Sequence, residues 1–194
     1  YLMRKNAITV HKGHGRMLGG GKISVTAEDG SVETLTAKHT IIATGSVCKS
    51  FGFIPMDHER IVNSDDILEL PFIPKKMVVM GAGAVGTEFA SVYNSFGSEV
   101  TIIEVMDRLL PLEDEDISKE LGRAFKKRKI TSLTEHFIQK VERDGDVVKV
   151  EVKGPDDKIV AMECDLFLMA AGRQPVSYDL GIENTKIETT KRDT

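Results

Sequence analysis

The clearest pattern of hydrophobic and polar positions lies between residues 77 and 104. The uninterrupted apolar run at 77–80 is typical of a strand that is covered on both faces. Val100, Ile102 and Ile103 predict a second strand, and Gly97 before it can end a helix. The apolar residues that recur at helical spacing between the two strands are Val85, Phe89, Val92, Tyr93 and Phe96. The pattern therefore predicts a strand, a helix with one buried face, and a second strand.

Downstream, the pattern predicts one more helix and several short strands. The helix carries acidic residues at 113–116 and basic residues at 126–129, so its charges complement the helix dipole. A short strand near 130–133 follows, and the apolar run at 166–170 predicts a last buried strand. The helix has its apolar positions at Ile117, Leu121, Ala124 and Phe125. An antiparallel meander takes the place of a crossover helix, with strands at 137–143, 148–152 and 159–163.

The first 70 residues predict antiparallel strands and a connection. Apolar and polar residues alternate, and the alternation continues through Leu35 and Ala37. The predicted features are strands at 7–10 and 23–27, glycine-rich turns at 13–15 and 19–21, a buried strand at 41–43, and a short helix at 64–68 capped by Ser64. Because Pro71 and Pro74 mark a boundary, three segments are expected: 1–70, 71–172 and 173–194.

The composition indicates a soluble globular protein of a reducing compartment. Of 194 residues 41% are hydrophobic, and the net charge of -4 comes without a broad basic stripe, so no nucleic acid or membrane partner is expected. Cys48 and Cys164 fit neither a CxxC motif nor a zinc-ligand pattern and are expected to be free thiols. The histidines lie apart from nucleophiles and ligand-spaced carboxylates, so no metal site is expected. The expected location is the cytoplasm, or the mitochondrial matrix in a eukaryote.

The turn between the first strand and the helix carries candidate binding chemistry. Gly81 allows a sharp turn, Gly83 lacks a Cβ so that a pyrophosphate can approach the backbone, and Gly86 lets the helix lie against the sheet. The whole loop is Gly81, Ala82, Gly83, Ala84, Val85 and Gly86. The anion would meet free amides at the positive end of the helix dipole. Glu104 stands at the tip of the next strand, where a carboxylate can accept both ribose hydroxyls.

Glu104 also favours NAD over NADP. A carboxylate at this position would repel a 2′-phosphate, and the next three residues offer no cation, although Arg108 is nearby. A bare GxGxxG motif also matches ordinary glycine-rich turns, and a solvated strand end is the alternative for Glu104. The two strands, the helix and the spaced acid together indicate a dinucleotide site.

Three stretches of the chain resemble the class I pyridine nucleotide-disulfide oxidoreductases. They are residues 77–104, Ile42-Ala43-Thr44-Gly45-Ser46, and Ala171-Gly172-Arg173-Gln174-Pro175. Further strings resemble the dihydrolipoamide dehydrogenase branch in order and spacing, namely Gly86-Thr87-Glu88, Val100-Thr101-Ile102-Ile103-Glu104, Asp116-Ile117-Ser118 and Leu180-Gly181-Ile182-Glu183. The resemblance spans essentially the whole chain. It is more specific for the family than for the branch, because glutathione and mercuric reductases share the same scaffold. It implies an α/β fold, a Rossmann-like NAD-binding domain with a parallel sheet and an antiparallel β-meander, plus a partial β segment of an FAD domain.

The resemblance also implies roles for matching residues. The loop from Gly81 to Glu88 would hold the NAD pyrophosphate, with Glu88 near the nicotinamide. Glu104 would bind the adenosine ribose, Phe137 would lie near the adenine, and Gly172 would close the pocket; a plain core role for Phe137 stays open. The residues that would approach FAD are Gly15, Thr44, Gly45 and Ser46, for which ordinary turn and loop roles are the alternative. The segments 1–70, 71–172 and 173–194 would be the trailing part of an FAD-binding domain, the NAD-binding domain and a return segment.

Several motifs of the family have no counterpart in the sequence. These are its FAD fingerprint, its redox-active CxxxxC pair, and the carboxyl-terminal domain with a His-Glu base. The start at Tyr1 and the polar end at Thr194 therefore suggest an excised piece, expected to bind NAD(H) weakly and to be inactive alone. The intact parent would oxidise dihydrolipoamide with FAD and NAD as a homodimer, in a 2-oxoacid dehydrogenase complex. The alternatives are a glutathione- or mercuric-reductase-type fragment, disfavoured by Glu104 and Gly86, and a non-enzymatic NAD-binding module with a closed surface near Thr44.

Overall fold

A computed structural model describes residues 1–190, which fall into two units. The first contains Tyr1–Val47 and the described residues from Gln174 onward, and the second is Cys48–Arg173. Residues 48–70 thus belong to the same unit as the glycine loop. The strands are β1 (His14–Gly19), β2 (Lys22–Thr26), β3 (Val32–Thr36), β4 (Ser46–Cys48), β5 (Ile61–Asn63), β6 (Lys76–Met80), β7 (Glu99–Ile103), β8 (Thr131–Leu133), β9 (Phe137–Asp144), β10 (Val147–Lys153), β11 (Ile159–Cys164), β12 (Leu166–Met169) and β13 (Arg173–Pro175). The helices are α1 (Leu2–Lys5), α2 (Ala84–Ser95) and α3 (Glu115–Lys127), with 3-10 turns at Asp66–Glu69 and Ile182–Asn184.

The first unit contains an antiparallel sheet in the order β1-β2-β3. The strand predicted at 23–27 and the alternation through Leu35 are confirmed by β2 and β3. The strand predicted at 7–10 is wrong, and so is the turn at 13–15, because β1 begins at His14. Gly15 pairs with Val25, since ladder hydrogen bonds join backbones and do not need large side chains.

The predicted buried strand at 41–43 is also wrong. These residues form no strand, and Ile41 is 90% exposed. A β-prone apolar sequence becomes a strand only where another strand pairs with it, and no described residue pairs with this segment. The short helix is present as a 3-10 turn, but Ser64 does not cap it. The Asn63 side-chain oxygen accepts from the amides of Asp65 at 2.7 Å and Asp66 at 3.0 Å instead.

The second unit is built on a five-stranded parallel sheet in the order β5-β12-β6-β7-β8. The strands predicted around 77–80, 100–103, 130–133 and 166–170 are confirmed as β6, β7, β8 and β12. β12 is buried along its whole length, as expected for a central parallel strand. The sequence pattern missed β5, which has only three residues.

Helix α2 packs its small residues on the sheet. Its buried residues are Gly86, Thr87, Ala90 and Tyr93, and the partly buried Phe89 packs against the same core. Val92 and Phe96 are exposed, so the predicted apolar stripe is only partly right. The small face allows the helix to approach the sheet closely. In α3 the predicted face is also only partly right, because Phe125 is buried while Ile117 and Ala124 are exposed. The acidic first turn and basic last turn of α3 are confirmed.

The predicted meander is confirmed as the antiparallel sheet β11-β10-β9. Val148, Val150 and Val152 on β10 are fully buried in a core that includes Val78 and Phe167 of the parallel sheet. The meander therefore covers one face of the parallel sheet, and α2 and α3 contribute to the core on the other face. In the part of the chain that the structure describes, no helix has the length and apolar character needed to cross a membrane.

Candidate functional site

The carboxyl ends of β6, β7 and β12 meet at the glycine loop. The Gly81 amide donates to the Ile103 carbonyl at 2.8 Å, and the Ala170 amide donates to the Met80 carbonyl at 2.8 Å. Gly81 has φ +103°, a conformation that L side chains rarely adopt, and a Cβ there would lie 2.8 Å from the Ala170 carbonyl oxygen. Only glycine fits this turn, which directs the chain from the sheet edge into α2.

The first amides of α2 are available to an anion. Gly83 is the N-cap and provides no side chain, and the first turn contains no acidic residue. The first helical bond is donated by the Thr87 amide to the Gly83 carbonyl at 3.0 Å. Among residues 1–190, no acceptor is seen for the amides of Ala84, Val85 and Gly86. Unpaired amides at the positive end of a helix dipole form an anion-binding site.

Gly83 and Gly86 have different structural roles. A Cβ on Gly83 would have no heavy atom within 4 Å, so the space over this residue is open. A Cβ on Gly86 would overlap the Gly81 carbonyl oxygen and stand 3.4 Å from Val79 Cγ1. Gly86 therefore sets the distance between α2 and the loop, while Gly83 leaves room above the loop for a ligand.

Glu104 turns its carboxylate toward the loop. The side chain is 7% exposed, and its two oxygens accept from the Ala82 amide at 2.7 Å and the Met106 amide at 2.9 Å. These bonds compensate the burial of the charge and hold the acid directly beside the glycine turn. A carboxylate can accept about four hydrogen bonds, so capacity remains for hydroxyl donors.

A cavity of about 330 Å³ lies over this loop. Predicted site residues that line it are Gly81, Gly83, Ala84, Val85, Glu104 and Gly172. The remaining residues of the predicted loop are Ala82 and Gly86, which are buried beneath it, and Glu88, which is exposed outside the lining. The walls of the cavity are mainly apolar, with contributions from Met80, Ile103, Ile138 and Ala170. The structure thus gathers the loop, the acid and Gly172 around one space.

The wall contributed by β9 differs from the expectation. Phe137 is 49% exposed and does not line the cavity, whereas the adjacent His136 and Ile138 do. The alternation of side chains along a strand explains this, because neighbours point to opposite faces. The role predicted for Phe137 stays a prediction, and His136 is a lining residue that the sequence pattern gave no reason to select.

Arg108 faces a different part of the second unit. It lines a separate groove of about 740 Å³ beside α3 and β8. One guanidinium nitrogen donates to the Pro111 carbonyl at 3.2 Å, and another lies 3.5 Å from a Glu115 carboxylate oxygen. None of the described residues that line the cavity over the loop is a lysine or an arginine. A 2′-phosphate in this cavity would lie near the Glu104 carboxylate, and no guanidinium of the lining would offset the repulsion.

The residues expected to approach FAD all lie in the first unit. Gly15 is on β1, Ser46 begins β4, and both are exposed. The Thr44 hydroxyl donates to the Val176 carbonyl at 2.5 Å, and the Gly45 carbonyl accepts from the Val176 amide at 3.0 Å. Thr44 and Gly45 are therefore fixed by the segment that follows β13.

Both cysteines are free thiols, as predicted. Cys164 is buried, and burial raises the pKa of its thiol to about 12, so the reactive thiolate is suppressed. The Cys48 sulfur lies 3.2 Å from the Ser64 hydroxyl and 3.2 Å from an Arg173 guanidinium nitrogen. Neither thiol has a cysteine partner, and among the described residues no group of His, Cys, Asp and Glu is arranged to hold a metal ion.

The parallel sheet, the glycine turn and the buried acid beside it form a Rossmann-type α/β unit. The chain belongs to the pyridine nucleotide-disulphide oxidoreductase family, whose model matches residues 1–194. This confirms the family resemblance, and the family implies FAD and a pyridine nucleotide as cofactors.

The relatives include proteins named dihydrolipoyl dehydrogenase and proteins named leghemoglobin reductase. The chain is 37% identical over 193 residues to dihydrolipoyl dehydrogenase 3 of Pseudomonas putida, covering 99% of this chain and 41% of that protein. It is also 37% identical over 193 residues to leghemoglobin reductase of Glycine max, covering 98% of this chain and 36% of that protein. The chain thus spans about two fifths of the length of these relatives.

A solved structure of LpdA from Mycobacterium tuberculosis has the same fold. It matches with a TM-score of 0.86 and 28% sequence identity, over 98% of this chain and 42% of that one. The flavoprotein disulfide reductase RclA from Escherichia coli matches with a TM-score of 0.81 at 24% identity over 96% of this chain and 41% of that one, which supports the fold alone. The predicted α/β class with parallel sheet and meander is confirmed.

Proposed function

We propose that the chain is the NAD(H)-binding portion of a flavoprotein disulfide oxidoreductase of the dihydrolipoamide dehydrogenase type. The observation that carries the proposal is the cavity over the loop, where unpaired helix amides and the Glu104 carboxylate face one space. In this proposal, the amides of Ala84 and Val85 hold the pyrophosphate and Glu104 accepts from the adenosine ribose. The relatives named dihydrolipoyl dehydrogenase support the type of parent enzyme.

The chain's part in the reaction is to position the nucleotide. In the parent enzyme the flavin and a redox disulfide would carry electrons from dihydrolipoamide to NAD. The described residues fit a nucleotide at the glycine loop, whereas Gly15, Thr44 and Ser46 would supply only part of an FAD site, because the family's FAD fingerprint has no counterpart in the sequence. With a buried thiol at Cys164 and no CxxxxC pair in the sequence, the chain alone supplies no redox centre. A 2-oxoacid dehydrogenase complex and a homodimeric parent remain part of the proposal.

A non-enzymatic NAD-binding module is the second candidate. Such a module would need a closed surface near Thr44, whereas Ile41 is 90% exposed and Ile42 is 41% exposed. Large exposed apolar side chains mark a surface that another part of a protein covers. The exposure of these two residues favours the flavoprotein interpretation.

A pair of glycine substitutions tests the nucleotide site. Gly83→Ala places a Cβ where the pyrophosphate should approach, but its backbone φ of -71° suits alanine and no atom lies within 4 Å. We expect unchanged thermal unfolding and at least about a tenfold loss of NADH affinity by calorimetry. Gly122→Ala, in α3 with no atom within 4 Å, is the matched control and should keep wild-type affinity.

Further measurements test the preference for NAD over NADP and the expected inactivity of the isolated chain. NADH should bind more tightly than NADPH, because Glu104 lies in the cavity and no lining cation is described there. Absence of NADH binding to well-folded chain would refute the proposal, and equal or tighter NADPH binding would refute the NAD preference. Dihydrolipoamide-dependent NADH formation by the isolated chain would refute its inactivity.

A further inference from the structure

Leu110 has a backbone conformation that is unusual for its side chain. Its φ is +47°, in the left-handed region, which residues other than glycine and asparagine rarely occupy. Such a conformation persists only where surrounding contacts hold it, and it often marks a functional constraint. Leu110 is half-buried in the segment between β7 and α3 and does not line the cavity over the glycine loop. Any effect of Leu110 on a ligand would therefore pass through another residue.

Hydrogen bonds to both of its peptide groups hold Leu110 in place. Its carbonyl accepts from the Ser118 hydroxyl of α3 at 3.2 Å and from the Glu113 amide at 2.9 Å. Its amide donates to the Ala82 carbonyl of the glycine loop at 2.8 Å. Ser118 is only 5% exposed, so its hydroxyl depends on this acceptor rather than on bulk water. Leu110 thus connects α3 to the glycine loop.

The bond from Leu110 sets the orientation of the peptide between Ala82 and Gly83. This peptide is trans and planar, so the Ala82 carbonyl and the Gly83 N–H point in opposite directions. Because the carbonyl is bonded to Leu110, the Gly83 N–H points away from Leu110. Gly83 lines the cavity, and in the part of the chain that the structure describes no acceptor is seen for its amide. The Gly83 N–H is therefore a donor that is available to a ligand at the glycine loop.

We propose that Ser118 is a positioning residue of the nucleotide site and that it acts through Leu110 on the Gly83 amide. The inference rests on the proposed function, in which the diphosphate lies against the glycine loop. Without the Ser118 hydroxyl, Leu110 loses one of the bonds that hold its left-handed conformation, and the Ala82 carbonyl is less firmly fixed. The Gly83 N–H then loses its fixed direction, because both groups belong to one rigid plane. A donor that is oriented before binding favours affinity, since less freedom is lost when the ligand arrives.

Calorimetric titration of the full chain with NADH tests the inference with two serine variants. Ser118→Ala should bind NADH about fivefold more weakly, the equivalent of one net hydrogen bond. Ser98→Ala is the matched control, because the buried Ser98 hydroxyl also donates to a carbonyl, that of Pro74, at 2.6 Å. Ser98 and Pro74 precede β7 and β6, at the opposite end of these strands from the glycine loop.

The two variants should differ in affinity and not in stability. Both should lower the thermal unfolding temperature to a similar extent, whereas Ser98→Ala should keep the wild-type affinity for NADH. An unchanged affinity in Ser118→Ala, or equal losses of affinity in the two variants, would overturn the inference.

A double-mutant cycle tests whether Leu110 is the link. Asparagine occupies the left-handed region more readily than leucine, so a chain with Leu110→Asn depends less on the Ser118 hydroxyl. In the Leu110→Asn background, Ser118→Ala should therefore weaken NADH binding much less than in the wild type. An equal loss in both backgrounds would show that Ser118 does not act through Leu110.

The wild type provides a test that needs no variant. In NMR spectra of the backbone amides, the Gly83 proton should shift downfield when NADH binds, because a new hydrogen bond to a diphosphate oxygen forms. The Gly97 amide at the far end of α2 already donates to the Asn94 carbonyl at 3.1 Å and should not shift. An unchanged Gly83 resonance with NADH bound overturns the inference while the proposed function stands. Failure of the wild type to bind NADH overturns both.

Discussion

Replacing Gly86 by alanine should destabilise the second unit, although alanine is the better helix former. The new Cβ would overlap the Gly81 carbonyl oxygen, which is backbone and cannot move alone. If the loop shifts, the bond from the Gly81 amide to the Ile103 carbonyl at 2.8 Å and the bond from the Ala82 amide to Glu104 at 2.7 Å are both disturbed.

The size of the effect follows from those two bonds. A neutral backbone hydrogen bond contributes about 1 kcal/mol, and one to a carboxylate about 2 kcal/mol. The higher helix propensity of alanine returns about 1 kcal/mol. Gly86→Ala should therefore lose about 2 kcal/mol of unfolding free energy, or roughly 8 °C in Tm for a unit of this size.

Urea denaturation followed by circular dichroism measures the loss, with Gly122→Ala as the control. Gly122 lies in helix α3, and the Cβ that alanine would add there has no heavy atom within 4 Å, so this substitution should stabilise by about 0.5–1 kcal/mol. A Gly86→Ala protein as stable as the wild type would show that close packing of α2 on the loop does not limit stability.

Two further predictions concern pH. Burial alone would raise the pKa of Asp57, but hydrogen bonds from the amides of Ile61, Glu59 and Arg60 and from the Arg143 side chain outweigh burial and lower this pKa. Asp57 therefore stabilises the fold at pH values above 3.8, its ordinary pKa, and this stabilisation is lost as the pH falls further. Asp57→Asn should lose about 1–2 kcal/mol at pH 7 and match the wild type near pH 2 in urea titrations; equal stabilities at pH 7 would contradict the assignment. Burial raises the pKa of the Cys164 thiol from 9.0 to about 12, so between these pH values the thiol ionises in the unfolded chain but not in the folded one. The stability of the fold is therefore unaffected by this thiol below about pH 9 and decreases as the pH rises toward 12. Cys164→Ala should remove this alkaline loss, about 1.4 kcal/mol per pH unit, and Cys48→Ala should retain it; identical alkaline slopes in both variants would contradict burial as the cause.

The sequence predicted those elements whose apolar and polar pattern matches their burial in the fold. The runs that became β6 and β12 are apolar without interruption, the stretch that became β7 is interrupted only by Thr101, and all three are central strands of the parallel sheet. The meander followed from alternation and turn residues. The glycine loop and Glu104 were placed together correctly, because their spacing leaves few ways to connect two parallel strands.

The errors have a common physical origin in tertiary context. The apolar residues Val92 and Phe96 suggested a buried stripe, but α2 approaches the sheet through Gly86 and Ala90, and small residues carry little hydrophobic signal. Ile41 has strong β propensity and no pairing strand among the described residues. The position of His136 in the cavity wall depends on the register of β9, which a single sequence does not reveal.

The position of β12 has a consequence for how the chain acquires its shape during synthesis. β12 lies between β5 and β6, yet the ribosome produces it about a hundred residues after β5. The segment containing β6, β7 and β8 can assemble as it emerges, whereas β5 has to wait for the insertion of β12. Translation would therefore pass through a stage with an open edge on β6, a state in which chaperones could engage the nascent polypeptide.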